Sequence, residues 1–220
     1  MTATINQAAP ELQVAQWVQG EPVTLAELKG KVVLVEVFQV NCPGCFLYGL
    51  PEVIRLHDMF HEQGLEVLAL ATAFEDYSSN TLENLQALVD SGTVIGETKK
   101  ALEQGCELVD GKFRWQLPFA VGMDVVTPDD EPVNDAKILE YTKRSHPDIK
   151  QRRPEEQDYI LKMVEQYLKR KTMKAETFEL YDLKGTPSSI LIDREGILRE
   201  VSFGQTDALE PMVREYLAGR

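Results

Sequence analysis

Two cysteines three residues apart are the part of this chain best equipped for chemistry. Cys42-Pro43-Gly44-Cys45 follows the apolar, largely β-branched run Val35-Glu36-Val37-Phe38-Gln39-Val40, and a helical pattern opens directly after it. Two thiols at that spacing can hold a dithiol or close a disulfide. The orphan backbone N–H groups of a helix N-terminus stabilise negative charge. Cys42 is therefore expected to be partly thiolate near neutral pH, the form that attacks a disulfide. Pro43 suits the first helical turn, where its missing N–H costs nothing.

The same pair could be half of a structural zinc site, which needs two further ligands. The remaining candidates are Cys106, His57, His61 and His146. His57 and His61 share a helix face two to three turns beyond Cys45, and one helix cannot fold back to bring all four groups together. They read as partly exposed residues of an amphipathic helix. The strand before the motif and the helix after it favour redox chemistry over metal binding, so no metal and no other cofactor is expected. Cys106, alone in Glu103-Gln104-Gly105-Cys106-Glu107, reads as a free semi-buried thiol, with a regulatory partner thiol as the alternative.

The elements that must position the cysteines are legible on either side. Val32–Val40 is apolar on both faces, as in the middle of a covered sheet, with Glu36 the one exception. The helix from Pro43 is predicted to reach about Gln63, kinked by Pro51 and stopped by Gly64. Leu65–Ala71 is a second buried strand, so strand, helix and strand imply a parallel crossover. Leu12–Val18 reads as a short strand, and Thr24-Leu25-Ala26-Glu27 has capping-box spacing for one helical turn. Helices are predicted over Asn80–Val89, Gly96–Gln104, Asp135–Arg144 and Pro154–Lys171, the last with Ile160, Val164, Tyr167 and Leu168 at helical spacing. Leu117–Asp124 reads as a strand and Val125–Asn134 as a polar loop. Ser188–Asp193 and Ile197–Phe203 form a hairpin about Arg194-Glu195-Gly196, and Gln205–Leu217 closes the chain as a helix.

With 220 residues the chain fits one domain, or one domain carrying a large insertion. A net charge of −13 argues against nucleic acid and anionic membrane surfaces as partners. No apolar stretch is long enough to span a membrane, and the N-terminus lacks the pattern of a secretory leader. The expected location is therefore cytoplasmic, where thiols are kept reduced. One local charge contrast stands out: basic residues cluster at Lys143, Arg144, Lys150, Arg152, Arg153 and over Lys169–Lys174. This reads as a solvated helix surface with favourable charge at a helix C-terminus, the alternative being a docking surface.

Two segments together resemble the thioredoxin superfamily, in its TlpA/ResA-like or AhpC/TSA-like redoxin branch. One runs from Val23-Thr24-Leu25 through Leu28-Lys29-Gly30-Lys31 and the following strand to the helix after Cys45. The other runs from Tyr181 through Gly185-Thr186-Pro187-Ser188, Ile192-Asp193 and Gly196 to Gly204. The resemblance implies an α/β fold: a central mixed β-sheet flanked by helices, with a large, mostly helical insertion before the cis-proline strand. Residues 1–220 would form a single domain with the insertion at 75–179, most divergent over 125–175.

The resemblance also implies roles. Cys42 matches the attacking cysteine and Cys45 the resolving one, with Pro43 and Gly44 the intervening pair of the redox motif. Pro187 matches the proline whose preceding peptide bond is cis, so that Thr186 presents its backbone beside the sulfurs, where it can bind an extended substrate by a short β-augmentation. Glu36 sits where thioredoxins bury an Asp that aids proton transfer at the resolving thiol; burial would raise its pKa. The other reading of Glu36 is a strand residue paired to a lysine. Departures exist too. Asn41 replaces the usual aromatic before the first cysteine, and the Pro-Gly order differs from Gly-Pro, which bears on the reduction potential. Pro51 falls one residue late, consistent with a bulge in the first turns. Gln39 stands where peroxiredoxins carry Thr or Ser, against a true peroxidase.

The expected function is thiol–disulfide exchange, reducing a disulfide-containing protein or small-molecule substrate with an external thiol reductant resetting the site. A peroxide-reducing antioxidant redoxin and a binding module without turnover are the alternatives, and the sequence leaves the oligomeric state open. The insertion rejoins the chain just before the cis-proline turn, and is expected to border the groove around Cys42 and restrict which disulfides enter.

Overall fold

Val32–Phe38 is buried at every position, as its run of Val, Leu and Phe, interrupted only by Glu36, requires of a strand covered on both faces. Everything else in the sheet is arranged about it. In the computed structural model, which describes residues 2–105 and 107–219, the strands are β1 (Val14–Gln19), β2 (Val32–Phe38), β3 (Leu65–Ala71), β4 (Leu108–Val109), β5 (Lys112–Phe113), β6 (Ala120–Asp124), β7 (Val126–Pro128), β8 (Met173–Ala175), β9 (Ser188–Ile192) and β10 (Leu198–Phe203). The helices are α1 (Leu50–Phe60), α2 (Leu82–Ser91), α3 (Gly96–Gln104), α4 (Asp135–Ser145), α5 (Pro154–Arg170), α6 (Glu176–Leu180) and α7 (Leu209–Leu217). Cys106 lies outside the described residues, and with it the reading of a free thiol there.

The main sheet has the order β1-β6-β3-β2-β9-β10. β2 pairs in parallel with β3 and antiparallel with β9, so the sheet is mixed. Alternation along β2 divides the core in two. Leu34 and Phe38 join Cys45, Leu50 and Leu56 on one face, while Val33, Val35 and Val37 join Phe178 and Ile190 on the other. Among the described residues no helix is long and apolar enough to cross a membrane.

The predicted helix from Pro43 to Gln63 is helical throughout but changes pitch twice. Cys45–Gly49 is a π-helical turn, closed by Leu50 N–H on the carbonyl of Cys45. α1 follows, and a 3-10 turn, His61–Gln63, ends at Gly64 with φ 98°. Pro51 explains the wide turn. It offers no N–H to Leu47, and its ring crowds the carbonyl four residues back, so the turn opens where that bond is lost.

Several sequence expectations are corrected. Val125–Asn134 is not all loop: it holds β7, which pairs with β8 in a small two-stranded sheet. Strands of three residues are too short for alternation to register. The helix expected from Asn80 begins at Leu82, where Thr81 accepts a hydrogen bond from Asn84 N–H. That expected from Gln205 begins at Leu209. Thr24 and Glu27 do exchange capping-box hydrogen bonds, Thr24 N–H to Glu27 Oε2 at 2.9 Å and Glu27 N–H to Thr24 Oγ1 at 3.3 Å, but the segment stays a series of turns.

The chain divides into two compact units, Met1–Val126 with Ala175–Arg220, and Thr127–Lys174. The first holds the main sheet and both apolar clusters. There α6 is fastened to the end of β6 through Asp124, whose buried carboxylate accepts from Thr72 Oγ1 and Thr177 N–H at 2.8 Å each and from Phe178 N–H at 3.2 Å. Asp124 thus caps α6, whose own N-cap, Ala175, has no side-chain acceptor. The second unit is built on α4 and α5. Val164 and Leu168 are buried in it, and the Tyr141 and Tyr167 rings lie 5.3 Å apart. Asp129 accepts from Lys137 Nζ at 2.9 Å and Lys171 Nζ at 3.2 Å, and these contacts hold its carboxyl below the usual range although burial acts the other way. Within the basic cluster Arg152, Arg153 and Lys169 pair with Asp148, Glu156 and Glu165, as on a solvated helix surface.

Candidate active site

β2 ends at Phe38, and the chain turns through Asn41 into a helix whose first residue is Pro43. Asn41 fixes this turn from both ends of its side chain. Its Oδ1 accepts from Glu97 N–H at 2.8 Å and its Nδ2 donates to Asp76 Oδ2 at 3.1 Å. Because the N-cap residue of α3, Ile95, has no acceptor side chain, Asn41 supplies the cap from a distance. Behind the turn Phe46 packs edge-on against Phe38 and Phe113, with ring centres 6.3 and 4.9 Å apart. The start of the helix is therefore rigidly placed at the end of the central strand.

Cys42 and Cys45 are joined in a disulfide with their Cα atoms 5.4 Å apart. Cys42 is partly exposed, whereas Cys45 has no exposed surface. Cys45 N–H points at Cys42 Sγ, 3.2 Å away. The same N–H also donates to Cys42 O at 3.0 Å, and in the reduced protein its share of this bifurcated contact, at the helix start, would stabilise a thiolate on Cys42.

Gly185-Thr186-Pro187 approaches from the other side, before β9. The Thr186–Pro187 peptide bond is cis. Thr186 O lies 3.5 Å from Cys42 Sγ; in the disulfide form the sulfur carries no proton, so this is a contact, and in the dithiol form an S–H there would have an acceptor. Thr186 Oγ1 donates to Gln39 Oε1 at 3.3 Å, and Gln39 Nε2 donates to Glu75 O at 3.2 Å. Buried Gln39 thus links the proline loop to the segment after β3. Gly204 N–H closes the loop on Pro187 O at 2.8 Å.

Glu36 lies beneath. It is 1 % exposed, and among the described residues it pairs with no lysine, against the ion-pair reading. Its Oε2 accepts from Ser189 Oγ at 2.7 Å, and its Oε1 is buried without a hydrogen-bond partner. Burial pushes its carboxyl up to about 8, the Ser189 hydrogen bond opposes that rise, and the Glu52 charge adds to it. The carboxyl reaches the helix because residue 49 is glycine. A methyl group on Gly49 would collide with Glu36 Oε1 and stand 2.7 Å from Pro187 Cβ, and one on Gly44 would stand 3.6 Å from Pro187 Cδ. The Pro187 ring therefore spans Gly44 to Gly49, across the turn that carries Cys45.

The structure thus brings together every residue singled out for chemistry in the sequence: Cys42, Pro43, Gly44, Cys45, Glu36, Thr186 and Pro187. His57 and His61 stack on one another with ring centres 4.7 Å apart, further along the helix. Sequence reading missed three participants. Ser189 has no motif of its own, though it stands opposite Glu36 once β2 and β9 are aligned. Gln39 stands out in the sequence only as a departure from the peroxidase pattern. Gly49 carried a readable signal, a glycine one turn after the second cysteine inside a helix, where only a close approach justifies the cost.

The AhpC/TSA family model matches residues 5–110. No curated protein matches the chain. Among solved structures, a thiol-disulfide isomerase from Corynebacterium glutamicum is 27% identical over 97% of this chain and 97% of that one, with a TM-score of 0.61. A thioredoxin-like superfamily protein is 27% identical over 96% of each chain, with a TM-score of 0.59. A thioredoxin-like protein solved in its oxidised form, 16% identical over 97% of each chain with a TM-score of 0.53, shares the fold.

Proposed function

We propose, starting from the premise that this is a thioredoxin-superfamily chain of the redoxin branch with a thioredoxin-like fold, that it is a thiol–disulfide oxidoreductase acting through Cys42 and Cys45. The observation that carries this reading is the Cys42–Cys45 disulfide at the start of a helix, with one sulfur reachable from solvent and the other sealed in the core. Of these two cysteines, Cys42 is the one that can meet a substrate and Cys45 the one left to displace it.

In the reduced protein the Cys42 thiolate attacks one sulfur of a substrate disulfide. A Cys42–substrate disulfide forms and the second substrate sulfur leaves as a thiolate. The Cys45 thiol then loses its proton, and its thiolate attacks Cys42 Sγ. The Cys42–Cys45 bond closes, and the first substrate sulfur leaves as a thiolate. Two electrons pass from the dithiol to the substrate, and an external thiol reductant returns them. Glu36 is the group we assign to take the Cys45 proton. With its carboxyl at about 8, it is ionised often enough near neutrality to accept one and holds it readily once accepted. The Thr186 carbonyl beside Cys42 Sγ supports its role as a backbone contact for the substrate chain.

Substrates of this reading are protein or small-molecule disulfides. The test is turnover of a small chromogenic disulfide with a dithiol as electron donor. Catalysis that disappears in Cys42→Ser and in Cys45→Ser supports the assignment. Rapid consumption of peroxide without disulfide turnover would instead favour the peroxide-reducing alternative, through a sulfenic acid on Cys42.

A further inference from the structure

We propose that Ser189 is a positioning residue for proton transfer: its hydroxyl holds Glu36 Oε2 and so leaves Oε1 as the one oxygen that exchanges a proton with Cys45. The inference rests on the reading of Glu36 as proton acceptor and goes further, to the atom used and the residue that selects it.

Glu36 and Ser189 stand directly opposite each other on antiparallel β2 and β9, so their side chains share a face and meet at close range. The serine hydroxyl carries a single proton and donates it to Oε2 over 2.7 Å. That bond breaks the equivalence of the two carboxylate oxygens. Oε1 lies on the other side, buried and without a donor. A buried carboxylate oxygen in that state is costly, and its surroundings are specific. It abuts Gly49, one turn beyond Cys45, where no Cβ intervenes, next to the Pro187 ring. The orphan oxygen therefore faces the segment of helix that carries the resolving thiol, while the satisfied oxygen faces the sheet.

The charges around this pair are few. β3 offers Ala69 opposite Glu36, and β9 offers the uncharged Ser189. From α1, Glu52 repels the carboxylate. Glu52 in turn feels Arg55, Asp207 and Glu210 at the outer surface. The Ser189 hydroxyl is thus the main group favouring the ionised form. Without it the carboxyl should hold its proton to higher pH, and either oxygen could face the helix.

The experiment is a carboxyl-carbon NMR titration of the oxidised protein, in which neither Cys42 nor Cys45 titrates, paired with the rate of mixed-disulfide release in the reduced protein across pH. Glu36→Gln identifies the Glu36 signal and the pH inflection that belongs to it. Ser189→Ala should raise the Glu36 midpoint by about one unit, the scale of one hydrogen bond to a charged group. It should move the inflection of the release step upward equally, slowing release about tenfold at neutral pH. The first attack by Cys42 should be unchanged. Ser189→Thr, which keeps the hydroxyl, should restore both values. An unshifted midpoint in Ser189→Ala overturns the inference, as does a shifted midpoint with an unmoved release profile. If Glu36→Gln alone leaves release unaltered, the proton-acceptor reading beneath it fails, and that result is separate from either Ser189 outcome.

Discussion

Glu36 Oε1 occupies the space that a side chain on Gly49 would need. A carboxyl from the central strand and the bare backbone of the active-site helix are thus fitted to each other, with the Pro187 ring closing the third side. Strand, helix and proline loop meet at one glycine.

Gly49→Ala should therefore do more than an ordinary helix substitution. Alanine favours helix by up to about 1 kcal/mol over glycine, yet here its methyl must displace Glu36 or Pro187. Overpacking of this kind costs about 1–3 kcal/mol, so a net loss of stability is expected in denaturant unfolding. Slower mixed-disulfide release should accompany it, because the displaced groups include Glu36, the proposed proton acceptor.

Glu36 also sets a pH dependence of stability. Its carboxyl is raised from an ordinary 4.5 to about 8 by burial. Between those values the folded chain keeps a proton that the unfolded chain has released, so stability falls as pH rises through that window and levels off above it. Glu36→Gln lacks this term. Unfolding midpoints of the oxidised wild type and variant should diverge from pH 5 to pH 8, in the variant's favour. Parallel curves would mean that Glu36 is ionised in the fold at little cost.

The thiols should differ in reactivity. In the reduced protein at neutral pH, alkylation followed by peptide mass spectrometry should find Cys42 modified well before Cys45, because only Cys42 reaches solvent and lies at the helix start. Equal rates at the two would remove the division of labour between them.

Asp124 offers a structural control away from the sulfurs. Asp124→Ala removes a buried acceptor from Thr72 Oγ1, Thr177 N–H and Phe178 N–H. Leaving such donors unpaired should destabilise the protein by roughly 3 kcal/mol. The reduction potential of the Cys42–Cys45 pair should be unchanged.

The parts of the fold legible in the sequence were those whose signal is local. β2 announced itself by an apolar run broken only by Glu36, the redox turn by its cysteines and the proline loop by Gly185-Thr186-Pro187. The displaced Pro51 pointed to a bulge, and the π-helical turn lies there. What was not legible depends on partners distant in the chain. α6 has no N-cap of its own because Asp124 provides one, and β7 and β8 are each too short to stand out without the other. Ser189 acquires a role only from its register with Glu36. The β4–β5 hairpin is different: Asp110-Gly111, with φ 51° and 75°, is a local two-residue turn signal, but the strands it joins have two residues each and show no alternation of their own.

The unit Thr127–Lys174 gives a further prediction. Both apolar clusters are made of residues outside it, and so are all the site residues. Replacing Thr127–Met173 by a short Gly/Ser linker should leave a folded protein that still turns over small disulfides, with loop closure adding little cost. An unfolded product would make the unit part of the core.

The central claim is that Cys42 exchanges with substrate disulfides and Cys45 resolves the product. Incubating reduced Cys45→Ser protein with a disulfide substrate and identifying adducts by mass spectrometry tests it most directly. A stable mixed disulfide should form on Cys42 and be released by added dithiol, while the wild type passes through it and ends with Cys42 joined to Cys45. No adduct on Cys42, or a wild type that never closes the Cys42–Cys45 bond as substrate is reduced, would contradict it.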